Sequence, residues 1–174
     1  MSVRLERPTL RRERDYLEAV RRSRRLHRGF VTTAETPAEY RDYLRRARRA
    51  NQQSFFVVVA DSGELAGVVN INDIVRYGQQ SGRLGYYAFA PHGGAGLMRA
   101  GLMLVIERAF GELDLHRLEA NIRPSNRRSI ALVRGLGFHR EGIARAFMKI
   151  GARWCDHERW ALLASDWPPR AKRR

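Results

Sequence analysis

The chain of 174 residues contains a single cysteine, Cys155, so an intrachain disulfide and a thiolate metal site are both excluded. Its five histidines show no paired ligand spacing, and the sequence therefore predicts no bound metal. Such scarcity of cysteine is typical of a protein from the reducing cytoplasm. No apolar run approaches the ~18–20 residues that a membrane-spanning helix needs. The first residues also lack the apolar segment of a secretory signal.

Lysine is nearly absent: among 33 basic residues only Lys149 and Lys172 are lysines, and the rest are arginines. The formal net charge is +15, and it is concentrated at the two ends of the chain. Residues 1–50 hold 15 arginines against 7 acidic residues, and the last seven residues add four basic side chains. A basic periphery favours anionic partners such as RNA, a ribosomal surface or an acidic peptide. A genome-wide bias toward arginine codons would give the same composition as an ordinary solvated surface, so both interpretations stay open.

The length and the 44% apolar content suit one domain, predicted over residues 1–167 and followed by a basic tail at 168–174. Thr36, Pro37 and Glu39 predict a capping box at the start of one helix. Apolar spacing predicts helices at 12–25, 36–47, 97–110 and 126–134 and strands at 3–10, 55–60, 65–71, 84–90, 115–122, 145–150 and 158–164. This order predicts an α+β fold in which helices pack on a mixed sheet.

A glycine-rich loop, Gly93-Gly94-Ala95-Gly96, lies between a predicted strand and a predicted helix. Such a loop exposes backbone N–H groups at the positive end of a helix dipole, and phosphate oxygens can approach them closely because glycine has no Cβ. No Gly-Lys-Ser/Thr follows, so the loop is not that of a nucleoside triphosphatase. The pattern favours an anion cradle, although an ordinary turn could show the same glycines.

Several short motifs then follow one another in a fixed order. They are Tyr86-Tyr87-Ala88-Phe89, Gly94-x-Gly96, Leu115-His116-Arg117-Leu118-Glu119-Ala120, Pro124-x-Asn126-x-x-Ser129, Leu136-Gly137-Phe138-x-x-Glu141-Gly142 and Trp154-x-Asp156-His157. This series resembles the GNAT acetyltransferases, in the branch that acetylates the N-terminal amine of ribosomal proteins (RimJ/RimL type). The resemblance runs from about residue 55 to Trp167. It implies the GNAT fold, acetyl-CoA as acetyl donor and an amine as acceptor.

The resemblance also implies a cofactor site. The pyrophosphate would lie on His92, Gly93, Gly94, Ala95, Gly96 and Leu97. The preceding strand would be bulged and would splay from its neighbour, so that the pantetheine arm pairs with Ala88, Phe89 and Ala90, while Asn126 contacts the end of that arm. Two residues depart from the family pattern: Pro91 replaces a side-chain donor, and Ala95 replaces a common basic residue.

The catalytic residues are less clearly marked. Many relatives use a tyrosine shortly before the Gly-Phe pair to protonate the departing thiolate, and Val133 stands there instead. Ser129, one helical turn after Asn126, is the family-consistent substitute, although it could equally be a capping or packing hydroxyl. No carboxylate precedes the 84–90 strand, where relatives often carry a base, because Arg83 occupies that position. Candidate proton relays are Glu119, His116 and Asp156, of which the two acids could instead pair with arginines.

The lack of an evident base favours an acceptor that is already partly neutral. An α-amine has a pKa of ~7.7–8.0, so roughly a quarter is neutral near pH 7.4, against about one in a thousand for a lysine amine. The sequence therefore favours direct attack by a protein N-terminal amine in a ternary complex. By resemblance, residues 26–35 would form the acceptor wall. Asn70 and Asn72, at the end of a predicted strand, either face the site or serve the turn of a β-hairpin.

Two alternatives remain at this point. One is an acetyltransferase for a small amine such as an antibiotic, a polyamine or an amino acid, which an acidic groove would favour. The other is a non-catalytic RNA- or ribosome-binding module with a degenerate glycine loop, for which Pro91, Ala95 and Val133 are the argument. A homodimer is an expectation from the family that no particular residue supports.

Overall fold

The structure is a computed structural model that describes residues 2–167, so the predicted basic tail at 168–174 lies outside the described residues. Within this range four α-helices pack on one mixed sheet. The helices are Glu13–His27 (α1), Pro37–Ala47 (α2), Leu97–Gly111 (α3) and Arg127–Gly135 (α4). The α+β prediction is confirmed. None of the described helices has the length and hydropathy needed to cross a bilayer.

The sheet contains seven described strands in the order β1-β2-β3-β4-β5-β7-β6. They are Val3–Glu6 (β1), Gln53–Val59 (β2), Leu65–Val75 (β3), Ser81–Ala88 (β4), Arg117–Ile122 (β5), His139–Ile150 (β6) and Arg153–Leu163 (β7). Neighbouring strands are antiparallel except β4 and β5, which are parallel and are joined by the crossover through α3. The parallel pair thus lies near the middle of the sheet.

The N-terminal helices begin and end close to where the sequence predicts. The predicted capping box is present: Glu39 N–H donates to the Thr36 hydroxyl, and the Glu39 carboxylate accepts from the Thr36 N–H. This arrangement satisfies two N–H groups that a helix start otherwise leaves unpaired. Tyr16 of α1 and Tyr40 and Tyr43 of α2 are buried on one face of the sheet.

Helix α3 is buried on the opposite face, as its nearly continuous apolar sequence predicts. Leu102, Val105 and Ile106 are fully buried there among residues of β2, β3 and β5. Gly101 allows this close approach, since a Cβ at that position would lie 2.4 Å from the Val57 Cγ2 atom. The sheet therefore separates two apolar cores, one under α1 and α2 and one under α3 and α4.

Two sets of predicted strand bounds are wrong. The first strand ends at Glu6 instead of residue 10, because Pro8 cannot donate to a ladder and Leu10–Arg12 form a 3₁₀ turn. The last two strands begin well before 145 and 158 and form the long β6–β7 hairpin. Strand β6 lies at the edge of the sheet and is mostly exposed, so its sequence lacks the alternation that marks a half-buried strand.

Candidate active site

The parallel strands β4 and β5 separate before they end. Their pairing stops at Leu84 and Ala120, although β4 continues to Ala88 and β5 to Ile122. Phe89 N–H donates to the Ala66 carbonyl on the β3 side at 2.8 Å. Because donors and acceptors alternate along a strand, the backbone groups of Tyr86 and Ala88 are turned toward the gap between β4 and β5. The predicted splaying of this strand is therefore present.

The bulge predicted with that splaying is not in this part of the strand. The register of β4 against β3 is continuous from Leu84 to Ala88, and its irregularity lies at the opposite end, between Asn72 and Val75. The gap arises because β5 turns away into the start of α4 while β4 stays paired with β3.

The three residues predicted to pair with a pantetheine arm have different surroundings. The backbone of Ala88 faces the gap, and its carbonyl accepts from His27 Nε2 at 2.8 Å. The Phe89 side chain is fully buried in the core under α1. The Ala90 N–H donates to the Ser23 hydroxyl at 2.9 Å. Ala88 is thus the one of the three whose position suits a strand-like ligand along the gap.

The glycine loop is exposed and open on its outer side. Gly94 and Gly96 have φ angles of +88° and +77°, and a Cβ at either position would meet no atom within 4 Å. Gly96 is the N-cap of α3 and offers no side-chain cap, so the first-turn N–H groups from Leu97 onward lack helical partners. These amides and the helix dipole together suit an anion such as a pyrophosphate.

The other predicted loop residues act through the backbone or lie aside. The Leu97 side chain is buried in the core, so only its N–H group can reach a ligand. His92 Nε2 lies 3.2 Å from the carboxylate of Glu64 in the β2–β3 turn. Ala95 N–H points back toward the His92 carbonyl at 3.4 Å. Gly93 is exposed, with Leu26 of α1 as its near neighbour.

Asn126 and Ser129 meet at the start of α4, on the same gap. Asn126 is the N-cap, and its Oδ1 accepts from the Ser129 N–H at 3.2 Å. The Asn126 amide nitrogen is the part of this side chain suited to donate to a ligand carbonyl. The two residues that the sequence singles out in this region thus lie together beside the diverging strands.

Tyr86 joins this pair, and the sequence interpretation gave it no role. Its hydroxyl lies 2.6 Å from the Ser129 hydroxyl oxygen, where either group can donate. Burial raises the pKa of Tyr86 to about 12, with the Ser129 hydrogen bond acting in the opposite direction. The phenol is therefore neutral at physiological pH and can donate a proton or a hydrogen bond through Ser129. The sequence signal for this pair was weak, because Tyr86 lies inside a predicted strand and 43 residues separate it from Ser129.

A cavity of about 180 Å³ lies on the α1–α2 face of the sheet. Its lining is rich in hydroxyl and amide groups: Tyr16, Thr32, Thr33, Ala34, Tyr43, Arg46, Gln52, Asn70, Asn72 and Tyr87. Tyr16 and Tyr87 join their hydroxyls at 2.8 Å, and Tyr43 donates to Asn70 Oδ1 at 3.2 Å. None of the described lining residues is acidic. The predicted acceptor wall and both asparagines thus contribute to one polar cavity.

The candidate proton relays are engaged elsewhere. Glu119 is ion-paired with Arg117 at 2.9 Å, and Asp156 accepts from the Ala146 N–H at 2.7 Å. His116 is exposed at the start of β5, away from the end of that strand which faces the gap. Arg83, which stands where a base is common, pairs with Asp73 at 3.0 Å. These contacts favour structural roles for Glu119, Asp156 and Arg83, and His116 lies away from the gap.

Residues 3–139 match the acetyltransferase (GNAT) domain family. The chain belongs to this family. It is 37% identical over 125 residues to the probable N-acetyltransferase YjcK of Bacillus subtilis, which covers 72% of this chain and 69% of that protein. It is also 37% identical over 109 residues to the ribosomal protein uS5 alanine N-acetyltransferase of Escherichia coli, covering 63% of this chain and 56% of that one.

Solved structures agree with the GNAT fold. Mycobacterium smegmatis RimJ in complex with CoA-disulfide superposes with a TM-score of 0.87 at 22% identity, over 96% of this chain and 84% of that chain. Spermidine N-acetyltransferase from Vibrio cholerae, in complex with CoA and spermine, superposes with a TM-score of 0.80 at 21% identity, over 95% of this chain and 97% of that chain. The family match identifies a GNAT acetyltransferase that takes acetyl from acetyl-CoA, and the solved structures agree with its fold. The non-catalytic alternative is therefore wrong.

Proposed function

We propose that this enzyme transfers acetyl from acetyl-CoA to the N-terminal α-amine of a protein, in the cytoplasm, by direct attack in a ternary complex. The observation that carries this choice of acceptor is the polar cavity beside Tyr87, whose described lining holds hydroxyls, amides and Arg46 but no carboxylate. A polyamine carries several positive charges, and a binding site for it needs opposing acids. A peptide N-terminus needs one amine pocket and polar partners for its backbone, which this lining offers.

The acid–base chemistry supports the same acceptor. The relay carboxylates are ion-paired or hydrogen-bonded elsewhere, so neither is placed to deprotonate a lysine amine with a pKa of ~10.4. An α-amine with a pKa near 8 loses its proton far more easily. The name of the Escherichia coli relative specifies an alanine of a ribosomal protein, which is consistent with such an acceptor.

In this proposal Ser129 delivers a proton to the departing thiolate. Bound acetyl-CoA supplies the thioester carbonyl and the thiol leaving group. The Ser129 hydroxyl lies on the gap between β4 and β5, and Tyr86 behind it holds a neutral phenol 2.6 Å away. The loop from His92 to Leu97 and the backbone of Ala88 would hold the pyrophosphate and the pantetheine arm, with Asn126 at the end of that arm.

The basic N-terminal region is proposed to assist docking on an anionic partner. Residues 1–50 carry 15 arginines against 7 acidic residues, an excess that attracts a ribosomal surface over several ångströms and weakens with salt. Ribosome association and homodimer formation stay predictions.

The acceptor class can be tested by steady-state kinetics with two substrates. We expect kcat/KM for a short peptide that begins with alanine to exceed that for spermidine by about 100-fold, because a polycation would face Arg46 without opposing acids. The release of free thiol from acetyl-CoA measures both reactions in the same assay. Equal or faster turnover of spermidine would overturn the proposed acceptor and leave a small-molecule acetyltransferase.

A further inference from the structure

We propose that His27 is the general base that accepts the proton of the acceptor amine, a role that rests on the amine acceptor proposed above. His27 is the last residue of α1. It lies within the predicted acceptor wall at 26–35, but the sequence predicted no catalytic role for it. It is buried, with 6% of its surface exposed. Its imidazole is the one buried histidine ring among the described residues that contacts the strand bordering the gap.

The end of α1 reaches across the gap between β4 and β5. On the β4 side, His27 Nε2 lies 2.8 Å from the Ala88 carbonyl, which faces the gap. On the β5 side, the Gly29 carbonyl accepts from Arg123 Nη1 at 2.5 Å, and the Arg123 guanidinium lies 5.9 Å from the centre of the Phe30 ring. His27 is therefore held over the gap, opposite the face from which Ser129 approaches.

The hydrogen bond to Ala88 fixes which nitrogen of His27 carries the proton. A carbonyl oxygen only accepts, so Nε2 donates and Nδ1 keeps its lone pair. Nδ1 is buried and has no hydrogen-bond partner among the described residues. A buried acceptor without a partner is unfavourable, and such groups are rare in folded proteins. The arrangement leaves a basic nitrogen that a substrate N–H can satisfy.

The surroundings of the ring keep it neutral before reaction. Burial lowers the pKa of His27, while the Ala88 carbonyl and Glu35 act in the opposite direction. The ring contacts Tyr87 edge-on at 5.2 Å and also contacts Phe89, and Tyr87 lines the polar cavity. The charged groups around it are Glu35, Arg24 and Arg123. Glu35 is ion-paired with Arg24 at 2.9 Å, and Arg123 is hydrogen-bonded to the Gly29 carbonyl. His27 thus contacts the cofactor strand at Ala88 and, through the Tyr87 ring, a side chain that lines the polar cavity, and it does so in its proton-accepting form.

The proposed step conserves atoms and charge. Nδ1 takes one proton from the ammonium group of the acceptor, and the Ala88 carbonyl stabilises the resulting imidazolium through Nε2–H. The neutral amine forms the C–N bond while the C–S bond breaks. The second proton lost by nitrogen matches the one that the thiolate gains through Ser129. The imidazolium then releases its proton to water. Overall, the ammonium group and the thioester give an amide, a free thiol and one proton.

The test is the pH dependence of kcat for His27→Gln, in which the amide nitrogen can keep the hydrogen bond to Ala88 but no base remains. With an alanine peptide we expect kcat to fall at pH 6.5 by up to about 30-fold, the limit set by an amine of pKa ~8 being only ~3% neutral at that pH. At pH 9 the same amine is about nine-tenths neutral, so the variant should come within about twofold of the wild-type chain. His139→Gln, which changes an exposed histidine at the start of β6, is the matched control.

A purely structural role would show itself differently. It would lower kcat by the same factor at every pH, or weaken acetyl-CoA binding measured by calorimetry, and either result would overturn the proposal. An unchanged kcat in His27→Gln at pH 6.5 would overturn it as well. If the wild-type chain acetylates spermidine but no peptide, the proposed acceptor fails, and the same pH series with spermidine still decides whether His27 is the base.

Discussion

Replacing Gly94 by glutamate is expected to weaken acetyl-CoA binding by at least about 100-fold, that is by about 2.7 kcal/mol. Gly94 has a φ angle of +88°, a conformation that costs a side-chain-bearing residue roughly 1–2 kcal/mol. The new carboxylate would also stand in the loop that faces the pyrophosphate, where like charges repel strongly. Isothermal titration calorimetry with acetyl-CoA measures the loss directly.

Two control variants separate the causes of this loss. Gly151→Glu makes the same change in the β6–β7 turn, at a φ angle of +61° and in open space, and should leave binding unchanged. Gly94→Ala adds the backbone strain without the charge and should give an intermediate affinity. Wild-type affinity in Gly94→Glu would mean that the phosphates bind elsewhere on the chain.

The second large effect is expected at the Tyr86–Ser129 pair. Tyr86→Phe and Ser129→Ala should each lower kcat by about 100-fold, because either change interrupts proton delivery to the thiolate. The KM for acetyl-CoA should change little, since neither hydroxyl belongs to the phosphate loop. The double variant should be no slower than the slower single variant, because the two hydroxyls act as one unit at 2.6 Å.

The leaving group distinguishes proton donation from packing. An acetyl thioester of a more acidic thiol needs less help to depart, so it should restore much of the rate lost in both variants. Tyr77→Phe, at a side chain that is 95% exposed, is the matched control and should behave as the wild-type chain. Additive losses, or losses that the activated thioester does not reduce, would contradict a shared role as proton donor.

Local sequence signals predicted the features that depend on neighbouring residues. The capping box at Thr36 and the glycine-rich loop before α3 are determined within a few residues, and the structure contains both. The apolar surface of α3 predicted a buried helix for the same reason. The length of the exposed β6–β7 hairpin was underestimated, because an edge strand needs no alternation of apolar and polar residues.

Features that depend on distant residues could not be predicted in the same way. Tyr86 and Ser129 meet only because the crossover through α3 places β4 beside β5 and α4. The engagement of Ala90 by Ser23, and of the Ala88 carbonyl by His27, likewise needs α1 packed on the end of β4. The unpartnered Nδ1 of His27 follows from a hydrogen bond to a carbonyl 61 residues away, which no local pattern encodes.

The central claim is that the acetyl group goes to a protein α-amine. The most direct test uses one peptide with an N-terminal alanine and internal lysines, incubated with the wild-type chain and acetyl-CoA. Tandem mass spectrometry then locates the added acetyl group. The account predicts a single acetyl group on the N-terminal nitrogen and unmodified lysine side chains. Acetyl on lysine, or an untouched peptide from a preparation that acetylates spermidine, would contradict it.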